Sequence, residues 1–329
     1  MAKVKYKLHQ SRTTFKPFSY PWCYDAWLKS EQSHWMHTEV PMHEDVKDWK
    51  NKLTDAEKYF LTNIFRFFTQ GDIDVSDGYV KNYLPVFPQP EVRMMLLSFA
   101  ARESLHVAAY SHLVESLGLP ESLYNEFMEY QEMKDKHQYV SDMTGTFIAS
   151  ESFQKVARDI AVFSAFTEGL QLFSSFIMLL NFPRHGKMKS MGQIIKWSIV
   201  DETHHCESMI RLFREFIGEN KEIWSDKLKG EIYEIASKMV ELEDKFIDLS
   251  FKMGPMDNLT AEEVKVYIRY ICDRRLIGLG LKGIYKIKKN PLPWVEEMIN
   301  APTHTNFFEN RSTDYAKGAT TGDWGDVWA

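Results

Sequence analysis

Cysteine is nearly absent. Cys23, Cys206 and Cys272 lie far apart in 329 residues and form no Cys-x-x-Cys pair. This excludes a disulfide framework and a thiolate zinc site, and it fits a reducing, cytoplasmic compartment. An excess of basic charge is missing too: 40 Lys and Arg face 46 Asp and Glu, for a net charge of −6, and no basic block stands out. Nothing in that balance favours nucleic acid. The longest purely apolar run near the middle, Phe176 to Leu180, is far shorter than the roughly 20 residues that cross a bilayer, and the N-terminus carries no apolar signal region. A soluble protein with no membrane partner is expected. Alternating strand patterns and hairpin turn pairs are also lacking, so the fold reads as all-α.

What is present is a hydrophobic content of 44%, enough for a large core. No linker divides the chain before about residue 300. The expectation is one helical domain over 1–300, with 1–53 as an N-terminal arm containing a short helix around Asp25 to Glu31. Pro17 and Pro21 read as blocks to regular structure there, and Glu44, Asp45 and Asp48 as a solvated acidic loop. Thr54-Asp-Ala-Glu57 is a capping box that opens a long helix to about Tyr83. Further helices are expected over about 91–117, 121–135, 144–182, 188–217, 222–251 and from Thr260 to about Arg275, with a short one after Pro293. From about 301 to 329 the chain turns polar and Gly/Thr-rich, a flexible tail.

Several charged residues occupy helix positions where the pattern calls for core. Glu103, His106 and Tyr110 share one stripe with Phe99 and Leu113. Glu202 and His205 share another with Ile195, Ser198, Met209 and Leu212. Asp72 interrupts the stripe of Phe60, Ile64, Val75 and Tyr79, and Glu168 is the only charge between Ala161 and Phe182. Buried charge is costly unless it is paired or metal-bound. A lone Glu-x-x-His is weak evidence, since roughly one is expected by chance in a chain of this composition. Glu31 to His34 is such a match, without an apolar stripe around it. Asp72, Glu103, His106, Glu168, Glu202 and His205, drawn from four long helices, are the donor set of a ferritin-like four-helix di-metal carboxylate bundle with flanking helices. Carboxylate and imidazole donors suit iron first, with manganese or a mixed pair accepting the same ligands.

With these motifs in place, the sequence closely resembles the small, radical-generating subunit of class I ribonucleotide reductase. Glu103-Ser-Leu-His106-Val-Ala-Ala-Tyr110 looks like that family's second ligand helix, and Asp72 and Glu168 stand at the family's spacing. The resemblance implies that Tyr110 stores a tyrosyl radical, and that Trp35 and Asp201 relay it. It also implies that a large catalytic subunit, docked through the C-terminal tail, uses the radical to reduce ribonucleotides. Tyr315 would be the carrier at that interface, with Trp324 and Trp328 as anchors. A homodimer and an activating flavoprotein are further implied partners. Asp201 is expected to accept a hydrogen bond from His106 and orient it. Ser198 departs from the pattern, standing where the family more often has an apolar residue near the radical. Two alternatives remain on the sequence alone: a related di-metal oxidase acting on a small apolar substrate, and a ferritin-like iron-binding protein.

Overall fold

The computed structural model describes residues 6–126, 129–144, 152–252, 254 and 256–300, apart from the side chains at 68–71, 74, 125, 143 and 144. Among the described residues twelve α-helices follow one another: α1 (Pro21–Gln32), α2 (His43–Asn51), α3 (Asp55–Gly78), α4 (Pro90–Ser116), α5 (Leu123–Glu126), α6 (Gln131–Thr144), α7 (Phe153–Ile160), α8 (Phe173–Arg184), α9 (Lys189–Glu219), α10 (Asp226–Lys252), α11 (Ala261–Gly278) and α12 (Pro293–Asn300). No strand occurs among the described residues, only an isolated bridge between Met256 and Leu259. The all-α expectation holds.

Local chemistry sets the helix ends. Thr54 Oγ1 accepts from Glu57 N at 3.2 Å while Thr54 N donates to Glu57 Oε2 at 2.8 Å, and Thr260 with Glu263 repeats the box at α11. Pro90 occupies the first turn of α4, where its missing N–H is no loss. Two stretches depart from α-helix. α3 runs on into a π turn (Tyr79–Tyr83), and α7 reaches α8 through an 11-residue π segment (Ala161–Gln171). Such bulges often mark functional sites.

α3 lies along α4, and α9 lies along α8 and the long π segment. These elements enclose a core in which Phe99, Phe166, Phe176, Ile195, Met209 and Phe216 are fully buried. The continuous helical stretch Phe153–Arg184 is long and apolar enough to cross a membrane, yet its most apolar window is wholly buried in protein. Close packing explains Gly169: a Cβ there would lie 2.6 Å from Cys206 Sγ and 2.7 Å from Arg275 Nε.

Three local expectations need correction. Pro21 does not block structure but starts α1 at its first turn. The stretch 121–135 is not one helix, because α5 stops after a single turn and α6 begins at Gln131. The acidic cluster after Pro41 is not a solvated loop. It forms α2, and its buried Asp45 and Asp48 cap the start of α9: Ser190 N and Met191 N donate to Asp45 at 3.0 and 2.7 Å, and Met188 N donates to Asp48 at 3.0 Å. Met188, in left-handed conformation with φ of 52°, has no side chain able to cap, so carboxylates from another helix satisfy those N–H groups.

Candidate metal centre

Each of the six candidate ligands comes from a helix that packs against the others. Asp72 is on α3, Glu103 and His106 one turn apart on α4, Glu168 on the long π segment, and Glu202 and His205 one turn apart on α9. All six are at most 1% exposed. They converge as two overlapping groups, Asp72, Glu103, His106 and Glu202, and Glu103, Glu168, Glu202 and His205, each with its donor atoms within 4.8 Å of one another. Glu103 and Glu202 belong to both groups. That is the arrangement in which two carboxylates reach two neighbouring cations.

The donor atoms crowd one another at the centre of the cluster. His106 Nδ1 lies 3.0 Å from Glu202 Oε1, 3.3 Å from Glu103 Oε2 and 3.8 Å from Asp72 Oδ2. His205 Nδ1 lies 2.9 Å from Glu103 Oε1, yet neither atom has a hydrogen-bond partner of proper geometry. Both oxygens of Asp72, both of Glu202 and Oε2 of Glu168 are likewise buried and unpartnered. Buried polar atoms are almost always satisfied, and a cluster of exceptions calls for an ion. The donor set of four carboxylates and two imidazoles fits a pair of divalent metals.

Electrostatics point the same way. Burial drives the Asp72 and Glu168 carboxyls well above their ordinary range, and neighbouring carboxylates add to the shift. Burial and Glu103 push Glu202 up to about 7. Burial also opposes ionisation of Glu103, but the His106 hydrogen bond and the nearby His106 and His205 rings outweigh it and hold that carboxyl at about 2. Packing four carboxyls in a dry core leaves most of them neutral unless cations replace the protons.

The surroundings of the six are ordered too. His106 Nε2 lies 3.3 Å from Asp201 Oδ2, and the same oxygen accepts from Trp35 Nε1 at 2.8 Å. The Trp35 ring stacks on His106 with centroids 5.9 Å apart. Trp35 itself is only 4% exposed. Tyr110 is also buried, its ring 6.3 Å from that of His106. Burial and the Asp72 charge raise its phenol well above the usual value, and the neighbouring Ser198 hydroxyl opposes that shift. Ser198 Oγ in turn donates to Ile194 O at 3.1 Å. His204 and His112 stay outside the site, against Ala26 O and the His37 ring. Tyr315, Trp324 and Trp328 lie outside the described residues. Sequence reasoning missed Tyr79, whose hydroxyl donates to Glu168 Oε1 at 2.7 Å. Its place on the Asp72 stripe, two turns on, was the available signal.

Fold and site together define a ferritin-like di-metal carboxylate protein. Comparison with known proteins narrows this. Residues 12–291 match the family described as ribonucleotide reductase, small chain. The chain is 56% identical to the probable ribonucleoside-diphosphate reductase small subunit 048L of Invertebrate iridescent virus 3, over 97% of this chain and 88% of that one. It is 30% identical to the ribonucleoside-diphosphate reductase subunit beta of Chlamydia pneumoniae, over 91% of this chain and 88% of that one. In structure it is similar to the ribonucleotide reductase R2 subunit from Clostridium botulinum, with a TM-score of 0.82, 23% identity, and coverage of 89% of this chain and 94% of the other. The chain belongs to the family of class I ribonucleotide reductase small subunits, oxidoreductase components that pair with a large subunit.

Proposed function

We propose that Asp72, Glu103, His106, Glu168, Glu202 and His205 hold two metal ions, and that Tyr110 stores the oxidising equivalent generated there as a tyrosyl radical. The convergence of six buried donors on one unpartnered space carries this reading. Iron is the first choice, with manganese or a mixed pair compatible with the same donors. When bound, the ions supply a one-electron oxidant made from dioxygen or an activated oxygen species.

The chain's own residues do the rest. Asp201 fixes the His106 ring by accepting at Nε2, which leaves Nδ1 facing the carboxylates. The same carboxylate accepts from Trp35, so a hydrogen-bonded line runs from Trp35 through Asp201 to His106. Trp35 and Asp201 then move the oxidising equivalent toward the large subunit, which reduces ribonucleotides to deoxyribonucleotides. Tyr110 is kept from solvent, and its hydroxyl has Ser198 as a polar neighbour. The segment after about residue 300 docks the large subunit, with Tyr315 as interface carrier and Trp324 and Trp328 as anchors. Residues 1–300 act as one domain in a cytoplasmic homodimer, open to activation by a flavoprotein.

The direct oxidase alternative is not favoured, since the relatives are ribonucleotide reductase small subunits. Tyr110→Phe tests the proposal. The variant should bind two metals and consume O₂ but support no nucleotide reduction with the large subunit. Full turnover by that variant would remove Tyr110 from the reaction.

A further inference from the structure

The pair of Tyr79 and Glu168 has no place in the scheme above, yet it is among the best-defined contacts of the site. Both residues are buried, at 1% and 0% exposure, and the phenol donates to Oε1 at 2.7 Å. Each sits in a π turn, Tyr79 as the first residue of Tyr79–Tyr83 and Glu168 within Ala161–Gln171. The two turns are pressed together at Gly78, where a Cβ would lie 2.6 Å from the Phe163 ring. One helical turn beyond Tyr79, Tyr83 donates its hydroxyl to Asp159 O at 3.0 Å, and the two phenol rings meet edge to face at 5.9 Å. Two phenols thus tie the end of α3 to the segment carrying Glu168. The Tyr79 ring also stands edge-on to His205 and Phe99.

A carboxylate can bind a cation through one oxygen or chelate it through both. A buried O–H on one oxygen disfavours chelation, because it competes with the cation for that oxygen's electron density and fixes the carboxylate's orientation. Of the two oxygens of Glu168, Oε1 has the phenol and Oε2 has no partner. From this we propose that Tyr79 is a positioning residue of the metal centre: its hydroxyl holds Glu168 to binding through a single oxygen, Oε2, and so keeps one coordination position on the adjacent ion open. The proposal rests on the six-ligand reading and deepens it. It also assigns Tyr79 a part distinct from Tyr110, since the two phenols flank different ligands: Tyr79 meets Glu168 and His205, whereas Tyr110 neighbours Asp72 and His106.

Cobalt(II) loading of the full-length chain tests this without turnover, since Co(II) visible absorption weakens as coordination number rises. Wild-type protein and Tyr79→Phe should both take up two Co(II) per chain. The variant should lose visible band intensity and shift its bands, because Glu168 is free to chelate. Tyr83→Phe, which removes the neighbouring phenol outside the ligand set, should keep the wild-type spectrum. If Tyr79→Phe does not fold, 4-fluorophenylalanine at position 79 fills the hydroxyl's space without a donor and should show the same loss. Identical spectra for wild-type protein and either donor-less variant would overturn the role of Tyr79, as would an equal change in Tyr83→Phe. Failure of the wild-type chain to bind two Co(II) would instead overturn the six-ligand reading itself.

Discussion

Removing the metal from this protein should cost it thermal stability by an amount the site allows to be worked out. Seven buried polar atoms of the six ligands have no hydrogen-bond partner: two each of Asp72 and Glu202, and one each of Glu103, Glu168 and His205. At about 1–3 kcal/mol each, such atoms approach the ~5–15 kcal/mol that separates a folded domain from its unfolded chain. Protonation offsets part of this, which is why burial raises Asp72, Glu168 and Glu202. Two ions, each at a hundred times its dissociation constant, add about 2.7 kcal/mol apiece, or about 5.4 kcal/mol. For 329 residues the unfolding entropy near 60 °C is about 0.7 kcal/mol/K. The melting temperature should therefore rise by about 8 °C from chelator-treated to metal-loaded protein. Glu168→Gln sharpens the test. An amide replaces a carboxyl that is already neutral in the metal-free state, so the melting point in chelator should stay within about 1–2 °C of wild type, while at least half of the metal-dependent gain disappears. Scanning calorimetry with chelator, then with excess Mn(II) under argon, reads both. A wild-type melting point indifferent to metal, or a full gain in Glu168→Gln, would refute the reasoning.

Four further outcomes are expected. Asp201→Ala removes the acceptor of both Trp35 Nε1 and His106 Nε2, so metal affinity or activity should fall about 10–100-fold; Trp35→Phe should spare metal affinity and stop turnover, and normal turnover would remove Trp35 from the relay. Metal uptake should release protons, about two or more per pair of ions at pH 6, measured by calorimetry in buffers of different ionisation heat. The sign follows from the raised carboxyls: each stabilises the metal-free fold fully below the ordinary carboxylate value of about 4 and loses that contribution as pH rises through its raised value, about 7 for Glu202, so metal affinity climbs with pH, and a pH-independent affinity would contradict it. Truncation after Asn310 should weaken association with the large subunit while leaving the radical intact; unchanged association would overturn the docking role of the tail.

Much of this was legible in the sequence because the site breaks the helical pattern. A carboxylate at Asp72 or Glu168 in an apolar stripe is visible to anyone reading the 3.6-residue period, and all four such stripes meet in the fold. The two capping boxes were legible for a similar reason, since partner and signal lie three residues apart. What stayed hidden depends on partners distant in the chain. Asp45 and Asp48 looked solvated because the N–H groups they cap belong to residues about 140 positions later. Tyr79 passed for an ordinary core aromatic, because its acceptor lies 89 residues away in a π segment that periodicity does not reveal. Ser198 stood out as a hydroxyl on an apolar stripe, and in the structure it donates back to Ile194 O within its own helix, beside the Tyr110 phenol.

The most direct test of the account is metal analysis with low-temperature electron paramagnetic resonance after ferrous iron and O₂ are added, repeated with manganese and an activating flavoprotein. About two metals per chain and a tyrosyl signal that is lost in Tyr110→Phe are expected. Two bound metals with no organic radical under either condition, or the same radical in Tyr110→Phe, would contradict it.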